Sequence, residues 1–355
     1  MKTRGIFVAV LALVLASCGG EQKPATNTES IAITPEDQEL LKLAQTYFQS
    51  LPADASTPER QLTPEKVALG KVLYFDTRLS KTGKQSCNTC HNLSTFGVDN
   101  EITSEGDAGK RGNRNSPTAF NAALHFVQFW DGRAKDIEEQ AGMPILNPVE
   151  MNIPSKEYLE KKLREVKAYQ ALFAAAFPES KQPVTFANLE LAIGAFERTL
   201  ITPSRFDSYL KGDIQAMSAE ERAGLQEFIS SGCTTCHIGS TVGGTMYQKF
   251  GLVTDYRPFT GSTGKDLGRM DVTKNSMDKD MFKVPSLRNI TKTQPYFHDG
   301  SVSDLSKAIR IMGKVELNKD LSDEQIARIM TFLETLTADV PDDVKLVPEI
   351  LAAKN

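Results

Sequence analysis

Apolar residues recur at helical spacing through most of the chain. Leu40, Leu41, Leu43, Ala44, Tyr47 and Phe48 fall mainly on one face of a helix that begins at Pro35. Thr63-Pro64-Glu65 reads as an N-cap followed by proline at the first helical position, opening a helix with Val67, Leu69 and Leu73 inside. The same period returns over 156–176 (Leu159, Leu163, Val166, Leu172, Phe173) and 186–200 (Leu189, Ile193, Phe196, Leu200). Ser218 with Glu221 and Ser322 with Gln325 are capping boxes, the second opening a helix over 323–336. Leu305, Ile309 and Met312 predict an amphipathic helix that ends at Met312, before Gly313. Strand signals are few and the loops are long, which in a compact domain points to function. A large buried cofactor would give such loops something to pack on.

The first residues form a separate segment. Lys2 and Arg4 precede an apolar run, Ile6 to Leu15, too short to span a bilayer. It ends in Leu15-Ala16-Ser17-Cys18, resembling a bacterial lipoprotein signal in which Cys18 is lipidated; an ordinary secretory signal is the alternative. Either reading makes the protein exported, and the first makes it periplasmic and lipid-anchored to a membrane. Residues 19–33 are polar and read as a tether. Losing Lys2 and Arg4 with residues 1–17 leaves 39 basic against 45 acidic groups, a net charge of −6. That argues against nucleic acid as a partner and suits a basic redox partner.

Two short motifs carry the chemistry. Cys87-Asn88-Thr89-Cys90-His91 and Cys233-Thr234-Thr235-Cys236-His237 both fit C-x-x-C-H, the attachment pattern of c-type haem. Two thiols three positions apart can form thioethers with the vinyl groups of one haem, and the next histidine becomes the proximal iron ligand. Zinc would want Cys₂His₂ or Cys₄ spacing, and a redox-active pair would want a βαβ setting that is missing here. Each motif follows a capped helix, so one unit looks used twice. The expected fold is therefore mainly α: two cytochrome c-like haem domains with long loops and little strand. The expected boundaries are 1–17 signal, 18–50 tether and first helix, 51–200 and 201–338 haem domains split where Thr202-Pro203-Ser204 breaks the helix, and 339–355 tail. Met312 is the best-placed distal ligand for the second haem, and Met/His ligation would make that haem an electron carrier. A plain core methionine remains the alternative on pattern alone.

From about residue 62 to 338 the chain resembles the bacterial di-haem cytochrome c peroxidases. The phrases that carry the likeness are CNTCHNL (87–93), RNSPTAFN (114–121), QFWDGRAKDIEEQA (128–141), NPVEM (147–151), FKVPSLRNI (282–290), PYFHDG (295–300) and IMG (311–313). The resemblance implies a peroxidatic haem on His91 and an electron-transfer haem on His237 with Met312. It implies Trp130 as the relay between them, and Glu150 with Gln140 above the peroxidatic iron. Heterolysis of the O–O bond needs a base that also returns the proton, which Glu150 can do, and an amide such as Gln140 can orient the peroxide. The resemblance further implies a calcium ion held by Asn115, Thr293 and Pro295, and His298 near a haem propionate. His125 has no role in it, and packing is its expected use.

One position departs from the family. Many members carry a histidine sixteen residues after the first haem histidine, which caps the resting iron; here that residue is Asp107. The expectation is an iron open to peroxide without reductive activation, with His125 and Lys110 as the first suspects for a substitute ligand. The implied reaction is reduction of hydrogen peroxide to water, with electrons from a small cytochrome c or copper protein. Two other readings are a di-haem maturation oxidase acting on another protein, a group that uses tyrosine in place of Met312, and a non-enzymatic di-haem electron carrier. Family members are often homodimers.

Overall fold

The computed structural model describes residues 33–352 of the 355-residue chain. Cys18, the apolar run and most of the polar segment lie outside the described residues. From Thr34 onward the chain forms one compact unit. It is mainly helical, with a single two-stranded antiparallel sheet among the described residues. No helix among them is long and apolar enough to cross a membrane.

The capping signals set the helix starts. Helix α1 (Pro35–Tyr47) is capped by Thr34, and α2 (Pro64–Phe75) by Thr63, whose side chain accepts from the Lys66 N–H. Asp136 caps α3 (Ile137–Leu146). The 156–176 stretch is two helices, α4 (Lys156–Arg164) and α5 (Lys167–Ala176), broken at Glu165–Val166 so that both can reach one core. Helices α6 (Phe186–Glu197) and α7 (Arg205–Leu210) flank the predicted break. Both capping boxes form, at α8 (Ala219–Ser230) and later at α10 (Asp323–Glu334). Strands β1 (Tyr247–Lys249) and β2 (Met281–Lys283) pair with Tyr247 opposite Lys283. The helix carrying Met312 does not end there. It is α9 (Leu305–Leu317), and its turn comes at Asn318, whose φ of 51° closes it. Gly313 is internal because Leu321 packs where a side chain would stand, 2.9 Å from a built Cβ.

Two large hydrophobic clusters organise the packing. One joins α2 to α6, with Leu69, Leu73, Ile145, Phe173 and Leu189 fully or nearly fully buried. The other joins α7 to α10 and takes in α1 through Leu40, Ala44 and Phe48. The first helix thus packs with the C-terminal core, and the tail returns: Val340, Val344 and Leu351 pack beside Tyr74 and Phe75. Arg288, 1% exposed, has its charge met by a bidentate pair with Asp207 at 2.6 and 2.9 Å and its remaining donors by Ser204 and the Ser240 carbonyl.

A second duplication, invisible from the helix pattern, shapes the middle of the molecule. Pro-x₃-Asn-x₇-Phe-x-Asp-Gly occurs at Pro117–Gly132 and again at Pro285–Gly300. Both copies adopt one conformation: Asn121 and Asn289 have φ of 62° and 60°, Phe129 and Phe297 65° and 70°, and Gly132 and Gly300 68° and 63°. Each copy closes with an isolated bridge, Gln128 to Ala134 and Tyr296 to Val302. The two asparagines donate from Nδ2 to the same Thr202 hydroxyl, at 2.8 and 3.1 Å. The break at Thr202 is therefore where the repeats are joined.

Helices α2 and α6 cross at Gly70, where a built Cβ would lie 1.9 Å from the Ala192 carbonyl oxygen. Gly70→Ala is expected to destabilise the fold by about 1–3 kcal/mol through forced separation of the two helices, measured as a lower denaturation midpoint with unchanged slope.

Candidate functional site

Both C-x-x-C-H segments line cavities, and the two cavities meet. One encloses about 1320 Å³ including its mouth and is lined by Cys87, Cys90, His91, Trp130, Gln140 and Glu150. The other encloses about 1740 Å³ and is lined by Cys233, Cys236, His237, His298 and Met312. Each is a large cleft whose wall carries a cysteine pair and a histidine. Asn115–Thr118, His125, Trp130 and Lys283 line both and form their common wall.

The histidines are set as metal ligands are. His91 Nδ1 is 2.9 Å from the Pro117 carbonyl oxygen, and His237 Nδ1 is 3.3 Å from that of Val242. A backbone carbonyl beside Nδ1 favours the proton there and leaves Nε2 to coordinate. Burial holds His91 below its ordinary pKa and His237 down to about 4, so both rings are neutral, the ligand form. Burial raises the pKa of all four motif cysteines, Cys90 to about 11 and Cys233 to about 12. Adjacent cysteine pairs and a neutral imidazole in each cavity wall fit covalent haem.

Above the first motif, Glu150 is held by Asn147, whose Nδ2 donates to Oε1 at 2.8 Å. Burial raises the Glu150 pKa, partly opposed by the Arg133 guanidinium and by Asn147. Gln140 reaches the same cavity from α3. Trp130 donates from Nε1 to the Asn115 carbonyl at 2.9 Å, which fixes the indole in the common wall.

Asp107 faces elsewhere. Its carboxylate accepts from the Thr82 N–H at 3.0 Å and the Thr82 hydroxyl at 2.7 Å. Burial opposes its charge, but these bonds and those from Ser80 and Lys84 outweigh it and lower the pKa. The Asp107 N–H in turn donates to the Glu150 carbonyl at 2.7 Å, and Gly106 leaves no space for a Cβ against Val149. The loop is thus clamped to the Glu150 segment. Of the two substitute suspects, Lys110 is exposed and outside both cavities, whereas His125 stands in the common wall.

Asn115, Thr293 and Pro295 line one cavity together, with Asn115 Nδ2 donating to the Glu101 carbonyl at 2.9 Å. No cluster of three or more His, Cys, Asp or Glu side chains suited to a metal occurs among the described residues. His298 lines the second cavity with Nε2 buried and unpartnered, its ring stacked on Phe282 at 4.2 Å.

Several site residues escaped the sequence reading. Arg133, Asn147, Arg114 and Lys283 all lie inside the recognised phrases, but their partners are distant in sequence or hidden by local turns. Arg114 binds Asp131 at 2.5 Å and Asp266 at 2.6 Å at the edge of the first cavity. Glu197 lines the first cavity with one oxygen unpartnered, and burial with Glu138 nearby pushes its pKa up to about 8. Nothing in its helical setting signals that.

Paired thiols, a neutral imidazole in each of two adjoining cavities, and one indole between them define a protein built around two prosthetic groups. Residues 64–215 match the family described as di-haem cytochrome c peroxidase. The chain is 45% identical over 289 residues to a cytochrome c551 peroxidase of Nitrosomonas europaea, covering 80% of this chain and 84% of that one. It is 44% identical over 300 residues to a cytochrome c551 peroxidase of Pseudomonas aeruginosa, covering 84% and 86%. The crystal structure of a MauG-like protein associated with microbial copper homeostasis superposes with a TM-score of 0.75 at 28% identity, covering 84% and 97%. The chain belongs to the di-haem cytochrome c peroxidase family, and so is a haem oxidoreductase with two haem cofactors.

Asn147→Ala removes a hydrogen bond that favours the charged carboxylate, so the Glu150 titration is expected to move further up. Infrared difference spectra of the carboxyl stretch against pH would measure it.

Proposed function

We propose that the protein reduces hydrogen peroxide to two waters, using two protons and two electrons from an extracytoplasmic donor, a small cytochrome c or copper protein. The observation that carries this reading is Trp130, a side chain common to both cavities. Cys87, Cys90 and His91 would hold one haem, and Cys233, Cys236, His237 and Met312 would hold the other. The two halves of the chain serve as peroxidatic and electron-transfer domains. When bound, the haem on His91 would supply a redox-active iron able to pass two electrons to peroxide.

The chain's residues do the rest. Glu150 takes the proton from one peroxide oxygen and delivers it to the departing one, a role its raised pKa suits. The Gln140 amide orients the peroxide by hydrogen bonding. Trp130 carries electrons across the common wall. Asp107 is engaged by Thr82, which supports a first iron accessible without prior reduction. Asn115 through its side chain, and Thr293 and Pro295 through carbonyls, would hold a calcium ion by oxygen alone, as suits that cation. Export and a lipid on Cys18 would place the enzyme at a membrane surface in the periplasm, and a homodimer accords with the family.

The likeness to a MauG-like structure favours a second reading, oxidation of a partner protein. Met312 in the His237 cavity weighs against it, and Tyr296, which also lines that cavity, has its hydroxyl donating to the Ile290 carbonyl at 3.2 Å.

Glu150→Gln is expected to lower kcat/KM for peroxide by roughly 10²–10⁴-fold with haem spectra unchanged, read by stopped-flow with a reduced cytochrome. In the parent protein the base must be ionised, so the rate falls as pH drops through the Glu150 pKa; burial places that limb above the ordinary carboxylate range. Fully oxidised protein is expected to react with peroxide as fast as pre-reduced protein. A low-spin, six-coordinate first haem in the oxidised state would overturn that expectation.

A further inference from the structure

Lys283 is a buried basic side chain with no ion-pair partner among the described residues. It is 5% exposed, ends β2, and stands in the wall common to the two cavities. Among the described residues its ammonium forms no ion pair; its one side-chain partner is His125 Nδ1, at 3.0 Å. The carboxylate that acts on it, Asp131, is already engaged by Arg114 at 2.5 Å and Arg133 at 3.1 Å. An isolated charge in an apolar wall is strongly disfavoured. With nothing else beside it, burial brings the Lys283 pKa down to about 7, despite the pull of Asp131.

His125 holds the ammonium in place. Gly244 packs against the ring, and a built Cβ there would lie 2.3 Å from Cδ2, so a glycine is required. Burial and then Lys283 hold the imidazole well below its ordinary pKa, which keeps Nδ1 an acceptor. An ammonium has three donors and this contact uses one. The other charged and titratable groups packed around the pair are Asp131 with its two arginines, Tyr247 opposite Lys283 on β1, and Arg269, which donates to the Tyr247 hydroxyl. None of them supplies a free carboxylate.

We propose that Lys283, positioned by His125, binds a carboxylate side arm of a haem at the wall shared by the two cavities, and that its positive charge raises that haem's reduction potential. The proposal rests on the reading of the cavities as haem sites. Haem would be the source of the anion, because the group read into these cavities carries propionates. Lys283 also donates its backbone N–H to the Trp130 carbonyl at 2.7 Å, so the charge sits beside the relay residue. A positive charge there favours the reduced state, in which the haem has gained an electron.

The test is spectropotentiometric titration of holoprotein carrying Lys283→Met, Lys283→Arg or His125→Asn, after haem quantification. At about pH 6, where the ammonium is charged, Lys283→Met is expected to lower the midpoint potential of at least one haem. Lys283→Arg keeps the parent value, and His125→Asn gives a smaller fall. Unchanged potentials at both haems in Lys283→Met overturn the proposal. So does a parent potential that shifts with added formate, because a free anion would then occupy the site. Fewer than two haems per parent chain would instead overturn the reading under it.

Discussion

Two reciprocal backbone hydrogen bonds hold the functional centre together. The Asn115 N–H donates to the His298 carbonyl at 2.8 Å, and the Lys283 N–H donates to the Trp130 carbonyl at 2.7 Å. Asn115 and Lys283 occupy the same place in the two repeats, two residues before the proline, and Trp130 and His298 are likewise equivalent. Each repeat therefore binds the other's centre, and neither cavity can keep its inner wall without its neighbour. The left-handed phenylalanines before Trp130 and His298 are strained conformations for such residues. They turn both side chains into the junction, and the surrounding bonds hold them there.

The junction also concentrates charge in a region that burial makes expensive. Arg114 is shared between Asp131 and Asp266, and Asp131 also takes Arg133. The two Arg114 pairs are largely buried, so their partners matter more than they would at the surface. Lys283 is left without an acid of its own, and His125 offers a neutral acceptor. A structure that satisfies its buried charges elsewhere, as at Arg288 and Asp207, makes this exception informative.

On the other side of the first cavity the chemistry is set by short-range constraints. Asn147, a cap at the end of α3, doubles as the donor to Glu150. The 104–112 loop leans on the same segment through Asp107 and Gly106. One carboxyl group is thereby left ionisable in the cavity while another is tied to the Thr82 backbone. Their pKa values move in opposite directions for that reason: burial dominates at Glu150 and hydrogen bonding at Asp107.

The sequence by itself determined the helical class, the helix starts, and the two C-x-x-C-H units, because caps, apolar period and haem attachment are local chemistry. Thr63, Ser218 and Ser322 cap helices as their neighbours require. The recognised phrases also placed Glu150, Gln140 and Trp130 in one cavity wall. Where a local signal misled, packing was the cause: Gly313 reads as a stop but lies against Leu321 inside α9. Packing also decided that the first helix joins the C-terminal core and the tail the N-terminal one. Only the tertiary structure decided that the two repeats clasp one another, that Glu197 is stranded beside a cavity, and that Lys283 lacks a counter-ion. Those facts depend on what lies across the junction, and no spacing along the chain encodes a distance through space.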